Sequence, residues 1–280
     1  MLIGHKDKEK IFKELFRKDS LSHGYLFFGE EQIGKKTFAL ALANFIEKGE
    51  FNEPLEVLSE SRLVAPVEGS IGIDEMRDAK RFLFQKPALS SKRILIVDDS
   101  HKLTTDAQSA ILKLTEEPPP SGLVILISPT LDSLLPTLGS RLQRVYFPRV
   151  STKEIEGLLK EKTDLGMGEV SRIAGLALGR PGRAISLLED PLFKRFEKMA
   201  KAFVKNRSGR GETLRSLMKE NDETEGLDLI DVFVSHIMAE LATEPLRYKE
   251  TLRALCDRYS KMSDFSTNRR LQLETALWNL

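Results

Sequence analysis

The chain has one cysteine, Cys256, in 280 residues. A lone thiol excludes an internal disulfide framework and a cysteine-based zinc module within the chain. It is expected to be a small buried hydrophobe in a helix. Net charge is nearly absent as well, since 43 Lys and Arg against 42 Asp and Glu leave +1. No global field draws such a chain to nucleic acid or membrane, and any attraction of that kind must come from local patches. Long apolar runs are missing: "LVILI" at 123–127 is far too short to span a bilayer. The opening "MLIGHKDKEKIF" has no apolar stretch after its charges and is not a secretory signal. His5, His23, His101 and His236 show no metal-ligand spacing, and there is neither an internal repeat nor a low-complexity tract. What remains is an ordinary globular mix, 41% apolar and 30% charged. The length suits two or three domains of a cytoplasmic protein.

The first half alternates strand and helix signals. Residues 7–18 carry Ile11, Phe12, Leu15 and Phe16 at helical spacing. "GYLFF" reads as a buried strand, and "KTFALALANFIEKG" as a helix stopped by Gly49. After the short strand "SRLVAPV", a helix is expected from Ser70 to just before Pro87, with Ile73, Met76, Ala79 and Phe82 on one side. "RILIVDD" is an apolar strand ending in two carboxylates. The helix that follows places Ala107, Ala110, Ile111 and Leu114 on one face, and three prolines end it. "GLVILIS" and "RVYF" complete the strands. Strands apolar from end to end, alternating with helices, predict a parallel sheet covered on both faces. From Ser151 onward only helical periodicity remains. Ser151 or Thr152 caps the first of these helices, with Glu154 as the capping-box partner. "LGRPGR" and "KNRSGRGE" read as turns or linkers. "LDLIDVFVSHIMAELA" is expected to be strongly apolar on one face.

The chemistry begins at "GEEQIGKKT". A glycine loop between a strand and a helix points backbone N–H groups and a helix N-terminus at an anion. Gly29, Gly34 and Lys35 match the phosphate-loop pattern G-x-x-x-x-G-K-[ST]. Lys36 stands where the pattern places a Mg²⁺-holding hydroxyl, and an ammonium offers no lone pair to a metal. Thr37 comes one step late, turned by roughly 100°. A plain structural glycine turn is the competing reading of this stretch. Asp98 and Asp99 end a buried strand some sixty residues on, at the edge where parallel sheets bind ligands. Asp98 fits a metal-orienting carboxylate. Asp99 occupies the place of a water-activating glutamate and is one methylene shorter, unless it is a helix cap or a solvated strand end.

Two stretches make the pattern specific: "RILIVDDSHKLTTDAQSAILKLTEEPPP" and "LVILISPTLDSLLPTLGSRLQRVYF". With "SHGYLFFGEEQIGKKT", "SIGIDEMRDAKRF", "GRPGRAISLL" and the final "NRRLQLETALWNL", they resemble the bacterial DNA polymerase III clamp-loader family. Those AAA+ subunits open the ring-shaped sliding clamp and set it on primed DNA. The resemblance covers most of the chain, thinly between about 190 and 260. It implies an α/β fold, an AAA+ P-loop parallel sheet domain over 1–150, then a helical lid over 151–192 and an all-α collar over 193–280 that holds subunits in a ring. Leu273, Leu277 and Trp278 would pack in that collar. The family contains ATP-hydrolysing motors and a delta-prime type with a degenerate site of its own, and the flawed loop resembles the latter. A motor subunit, or less readily a stand-alone P-loop nucleotide kinase, is the alternative.

The resemblance also implies roles for particular residues. Arg141, in Ser140-Arg141-Leu142, matches an arginine finger that reaches ATP held by a neighbouring motor. Taken alone it is a surface arginine beside a strand. Arg183 in "GRPGRA" matches a second sensor touching nucleotide, or else holds the lid to the sheet. Ser128 and Thr130 both lie near the first sensor position. Arg77, Lys80 and Arg81 would meet a template phosphate, although a solvated helix face is the commoner fate of such charges. Residues 194–219 hold nine Lys and Arg against two Glu, and are read as an exposed face of the collar more than as a nucleic-acid site. ATP is expected to be weakly held or absent at the chain's own loop, with Mg²⁺ only if ATP binds, and no zinc. Expected partners are motor and delta subunits in a pentamer, the sliding clamp and primed DNA, with no membrane.

Overall fold

The computed structural model describes residues 2–189, 193–206, 209–223, 229–242, 244–264 and 275. By contacts they group into two compact units. The first runs to Thr163 and includes Gly179–Arg183; the second is Asp164–Leu178 with the described residues from Ala184 onward. The described part of the segment 151–192, residues 151–189, is thereby shared between the two units.

The first unit alternates as its sequence predicts. It contains α1 (Lys6–Arg17), β1 (Gly24–Phe28), α2 (Lys35–Lys48), β2 (Ser61–Val64), α3 (Ile73–Leu83) and β3 (Arg93–Val97). A short 3-10 turn, Ser100–Lys102, leads to α4 (Thr105–Glu116), β4 (Gly122–Ser128), α5 (Pro136–Gly139), β5 (Gln143–Tyr146) and α6 (Thr152–Lys162). The five strands form one sheet in the order β2-β3-β4-β1-β5, and every pairing is parallel.

Successive side chains of a strand point to opposite faces, and here both faces are apolar. Tyr25, Phe27, Ile94, Ile96, Leu123, Ile125 and Ile127 meet Phe12 of α1 and Phe38 and Leu42 of α2. Leu26, Leu95, Val97, Val124 and Leu126 meet Met76, Ala79 and Leu83 of α3 and Ala107, Ile111 and Leu114 of α4. Each fully buried side chain of this size contributes about 1.5–3 kcal/mol. The first face gathers aromatics: Phe12 lies edge-on to Tyr25 at 5.0 Å, and Phe38 edge-on to Phe147 at 5.2 Å.

Element ends follow local chemistry. Thr104 accepts from the Ala107 N–H to start α4, and Pro118, just beyond Glu117, cannot extend it. Ser151, rather than Thr152, caps α6, with the full capping box to Glu154. One start differs from expectation: α3 begins at Ile73, three residues after Ser70. Ile71 is taken by a bridge to Leu103. Its N–H donates to the Lys102 carbonyl at 3.0 Å and its carbonyl accepts from the Thr104 N–H at 3.0 Å. Backbone groups so engaged cannot close a helical turn.

The second unit is helical among its described residues. It contains α7 (Met167–Leu176), most of α8 (Pro181–Glu189), α9 (Phe193–Lys205), α10 (Arg210–Glu223), α11 (Leu229–Leu241) and α12 (Lys249–Asp264). The expectation that α11 is apolar on one face is corrected. Ile230, Val232, Phe233, Val234, Ser235, His236 and Ile237 are all buried, so over 232–237 burial runs right round the helix, while Asp231, Met238, Ala239 and Glu240 are half-buried. Phe203 of α9 meets Phe233 edge-on at 5.4 Å, and the His236 ring bonds the Val232 carbonyl at 2.8 Å. Cys256 lies in α12 as expected, but it is exposed. Leu255, one helical step away, takes the buried position. The basic stretch 194–219 is partly neutralised within the chain. Arg195 forms a two-bond fork with Glu220 at 2.6 and 2.7 Å, and Lys201 pairs with Glu197 at 2.8 Å. Leu273, Leu277 and Trp278 lie outside the described residues.

Candidate functional site

The glycine loop leaves β1 at the carboxyl edge of the sheet, the edge at which parallel sheets hold ligands. Gly29 has φ 141°, and a Cβ there would stand 2.4 Å from the Phe147 carbonyl oxygen. Only glycine permits that approach. Gly34 caps α2 with φ 98°, a left-handed value that favours glycine. Between them the chain turns back so that α2 begins at Lys35. The His5 ring bonds the Ile33 carbonyl at 3.1 Å, and the Arg149 guanidinium holds Glu30 at 2.9 Å.

Lys35 is buried. Its Nζ donates to the Gly29 carbonyl and, at 2.6 Å, to the Glu30 carbonyl. Burial pushes its pKa down, against the pull of Glu31, Asp98, Asp99 and Glu30. The lysine therefore braces the loop from within. Lys36 is exposed, and its Nζ lies 3.1 Å from Asp98 Oδ2. Thr37 sits half-buried one residue further along α2. Asp98 Oδ1 accepts from the Asp99 N–H at 3.1 Å. Asp99 adopts φ 47° and pairs with Lys102 at 3.1 Å. It precedes the 3-10 turn without a side-chain capping bond. The structure thus brings Lys35, Lys36 and Asp98 together and gives Asp99 a different ionic partner.

Two further groups border the loop. The Gly182 N–H donates to the Gln32 carbonyl at 2.8 Å, which anchors the start of α8 on the loop. Arg183, the next residue, is buried in this unit. Ser128 ends β4 opposite Phe28; it is buried and bonded to Ser133 Oγ. Thr130 is exposed, and its carbonyl accepts from Ser133 Oγ at 2.9 Å. The Gly29 N–H donates to the Pro129 carbonyl at 3.3 Å, so the Ser128–Thr130 turn abuts the loop.

Arg141 lies at the other end of the sheet. β5 pairs with β1 from Tyr25↔Gln143 to Phe28↔Tyr146, three steps of about 3.3 Å, or roughly 10 Å. Arg141 precedes that pairing by two residues, while the loop follows it. Its guanidinium is exposed, 2.8 Å from Glu116 Oε1 at the end of α4 and 2.7 Å from the Thr137 carbonyl. Ser140 is exposed too, with Oγ donating to the Thr137 carbonyl at 3.0 Å. Gln108 of α4 accepts from the Leu135 N–H at 2.9 Å and steadies the segment that leads to the arginine.

On α3, Arg77, Lys80 and Arg81 are all exposed. Arg77 pairs with Asp74 at 2.8 Å and Arg81 with Asp78 at 3.1 Å. The Lys80 ammonium rests over Phe84, 5.6 Å from the ring centre. Exposed pairs of this kind contribute little to stability and exchange readily. Among the described residues, no group of three His, Cys, Asp or Glu side chains is placed to hold a metal ion, and no helix is long and apolar enough to cross a membrane.

The family model described as DNA polymerase III, delta subunit, matches residues 4–151. The chain belongs to this clamp-loader family. A gamma/tau subunit of DNA polymerase III from Mycoplasma genitalium is 26% identical over 84% of this chain and 43% of that protein. The delta' subunit of Bacillus subtilis is 32% identical over 55% of this chain and 50% of that protein. The chain thus spans half or less of the length of these relatives. Among solved structures, a DNA polymerase III gamma subunit-related protein from Thermotoga maritima superposes with TM-score 0.57. It is 20% identical over 96% of this chain and 97% of that one. That likeness shows the fold, an α/β AAA+ sheet with helical additions.

Within this clamp-loader chain, several residues that shape the site carry no pattern of their own in the sequence. His5 and Arg149 reach the loop from 28 and 119 residues away. Glu116 and Gln108 sit inside the long α4 signature, and only the folded chain pairs them with Arg141 and Leu135.

Proposed function

We propose that this chain is a delta-prime-like clamp-loader subunit, a largely non-hydrolysing cytoplasmic AAA+ member that serves a neighbour's ATP. It would join motor and delta subunits in a pentamer that sets the sliding clamp on primed DNA during replication. The observation that carries this reading is the position of Arg141. The residue is exposed and lies two residues before β5, at the end of that strand remote from the chain's own loop, a position compatible with serving another protomer's nucleotide. A guanidinium there would neutralise charge developing on a transferring phosphate. The chain's own loop supports the second half of the reading. Lys36 stands in place of the metal-holding hydroxyl, and Asp99 is one methylene shorter than the usual water-activating glutamate.

The gamma/tau relatives favour a second reading, a motor subunit whose own loop hydrolyses ATP. Lys35 distinguishes the two. In a loader reconstituted with motor subunits, Lys35→Ala is expected to leave DNA-stimulated ATP turnover within about twofold, because the residue braces a loop that does no chemistry. Loss of all turnover would establish the motor reading instead.

The α3 face is proposed to meet the phosphates of the primed template, with Arg77 and Arg81 exchanging their aspartate partners for phosphate oxygens. Such contacts are independent of sequence and sensitive to salt. Arg77→Ala combined with Arg81→Ala is expected to weaken DNA binding by the assembled loader uniformly across sequences. The slope of log K against log salt should become shallower by about one for each phosphate that is no longer neutralised. Titrations at a series of salt concentrations measure both effects, and an unchanged slope would remove DNA from this face.

A further inference from the structure

A P-loop fold implies a divalent cation beside the phosphates, held by the hydroxyl after the loop lysine and oriented by a strand-end carboxylate. The residues here do not fit one. The hydroxyl position is Lys36, whose ammonium offers only donors. It is 3.1 Å from Asp98 Oδ2, so the carboxylate already has a cation beside it. The other oxygen of Asp98 accepts the Asp99 N–H. Asp99 is paired with Lys102.

We propose that Lys36 is the resident cation of this loop: its ammonium takes the metal's place on Asp98, and a nucleoside di- or triphosphate binds here free of metal. This rests on the reading that the chain's own loop does no hydrolysis, and it explains that reading. One ammonium balances Asp98 and, on an exposed side chain at the start of α2, keeps further N–H donors for an anion. The loop amides and the helix N-terminus supply the rest of the anion's contacts. A phosphate chain already wrapped around Mg²⁺ would bring a second cation against Lys36, and like charges at such short range repel. An ammonium also has no vacant coordination site to hold water as a hydroxide the way a metal does, so a phosphate held this way is bound and not cleaved.

The test uses the whole chain titrated with ATP and with ADP, by calorimetry, in excess Mg²⁺ and in EDTA. The native chain is expected to bind the metal-free nucleotide at least as tightly as the Mg²⁺ complex. Lys36→Thr restores a hydroxyl and frees Asp98, so it should reverse the order, with Mg²⁺ tightening binding by about tenfold or more. Lys36→Met removes the charge and adds no hydroxyl, so it should weaken metal-free binding and gain no response to Mg²⁺. Lys36 is exposed at the start of α2, and circular dichroism checks that each variant keeps its helical content. Tighter binding of the Mg²⁺ complex by the native chain would overturn the proposal, as would no nucleotide binding in EDTA. Neither result touches the trans role of Arg141, which is read in a partner's hydrolysis.

Discussion

Arg141→Ala is expected to cut ATP hydrolysis at the partner pocket facing this chain by about 10³-fold, the lower end of what an arginine finger contributes. The loss should fall on the chemical step. Arg141 is exposed and anchored by Glu116 and the Thr137 carbonyl, outside the buried core, so the fold and the assembly should survive its removal. Single-turnover hydrolysis in the reconstituted loader, measured alongside nucleotide affinity, separates the two. Affinity should change little while the burst from that pocket disappears. Arg141→Lys should recover little, because an ammonium keeps the charge and loses the planar fork that spans two phosphate oxygens. Unchanged hydrolysis in the alanine variant would end the finger assignment.

The largest effect on stability is expected at Glu60, far from any phosphate. Its carboxylate is buried just before β2. It accepts the Ala88 and Leu89 N–H groups at 2.6 and 2.9 Å and lies 3.3 Å from Arg93 Nε at the start of β3. The Arg93 guanidinium in turn covers the Phe82 ring at 4.7 Å. Glu60→Ala removes the acceptor for two amides and strands a nearly buried guanidinium. Breaking a buried pair from one side costs about 3–5 kcal/mol, and the unmatched amides add to that. Thermal unfolding should show the transition of the sheet unit lowered by roughly 10 °C. Burial raises the Glu60 carboxyl, yet the two amides and Arg93 outweigh it and hold the pKa below its ordinary value near 4.5. The unfolded chain therefore binds the proton more tightly. The contribution of Glu60 is complete above about pH 5 and is lost as pH falls through the folded value. Glu60→Gln should flatten that acid limb of the stability profile. An alanine variant as stable as the native chain would show that Arg93 finds another partner.

Much of the sheet unit is legible in the sequence because its signal is local and repeated. Ile94 and Ile96 alternate with Leu95 and Val97, and both sets are apolar, which a strand buried on one side does not require. The prolines after α4 and the Ser151–Glu154 box act within a few residues. The start of α3 is not legible, because a bridge from Ile71 to Leu103 decides it, and a distant backbone partner leaves no mark in a helical pattern. The exposure of Cys256 is hidden for a related reason: its neighbour Leu255 competes for the same buried arc of α12, and composition alone does not rank the two. At the site, the departure of Lys36 from the phosphate-loop pattern is plain in the sequence. Its consequence is not, because the ion pair with Asp98 joins residues about sixty positions apart.

The loop's closeness to the end of β5 has a mechanical corollary. Gly29 packs against the Phe147 carbonyl, so the chain's own phosphate loop touches one tip of a strand whose opposite tip leads to Arg141. That strand is a gauge four residues long. On the proposed reading it sets the pitch from one nucleotide position to the next around the ring. Two inserted residues would keep every side chain on its face and still carry the guanidinium about 7 Å out of step with its neighbour.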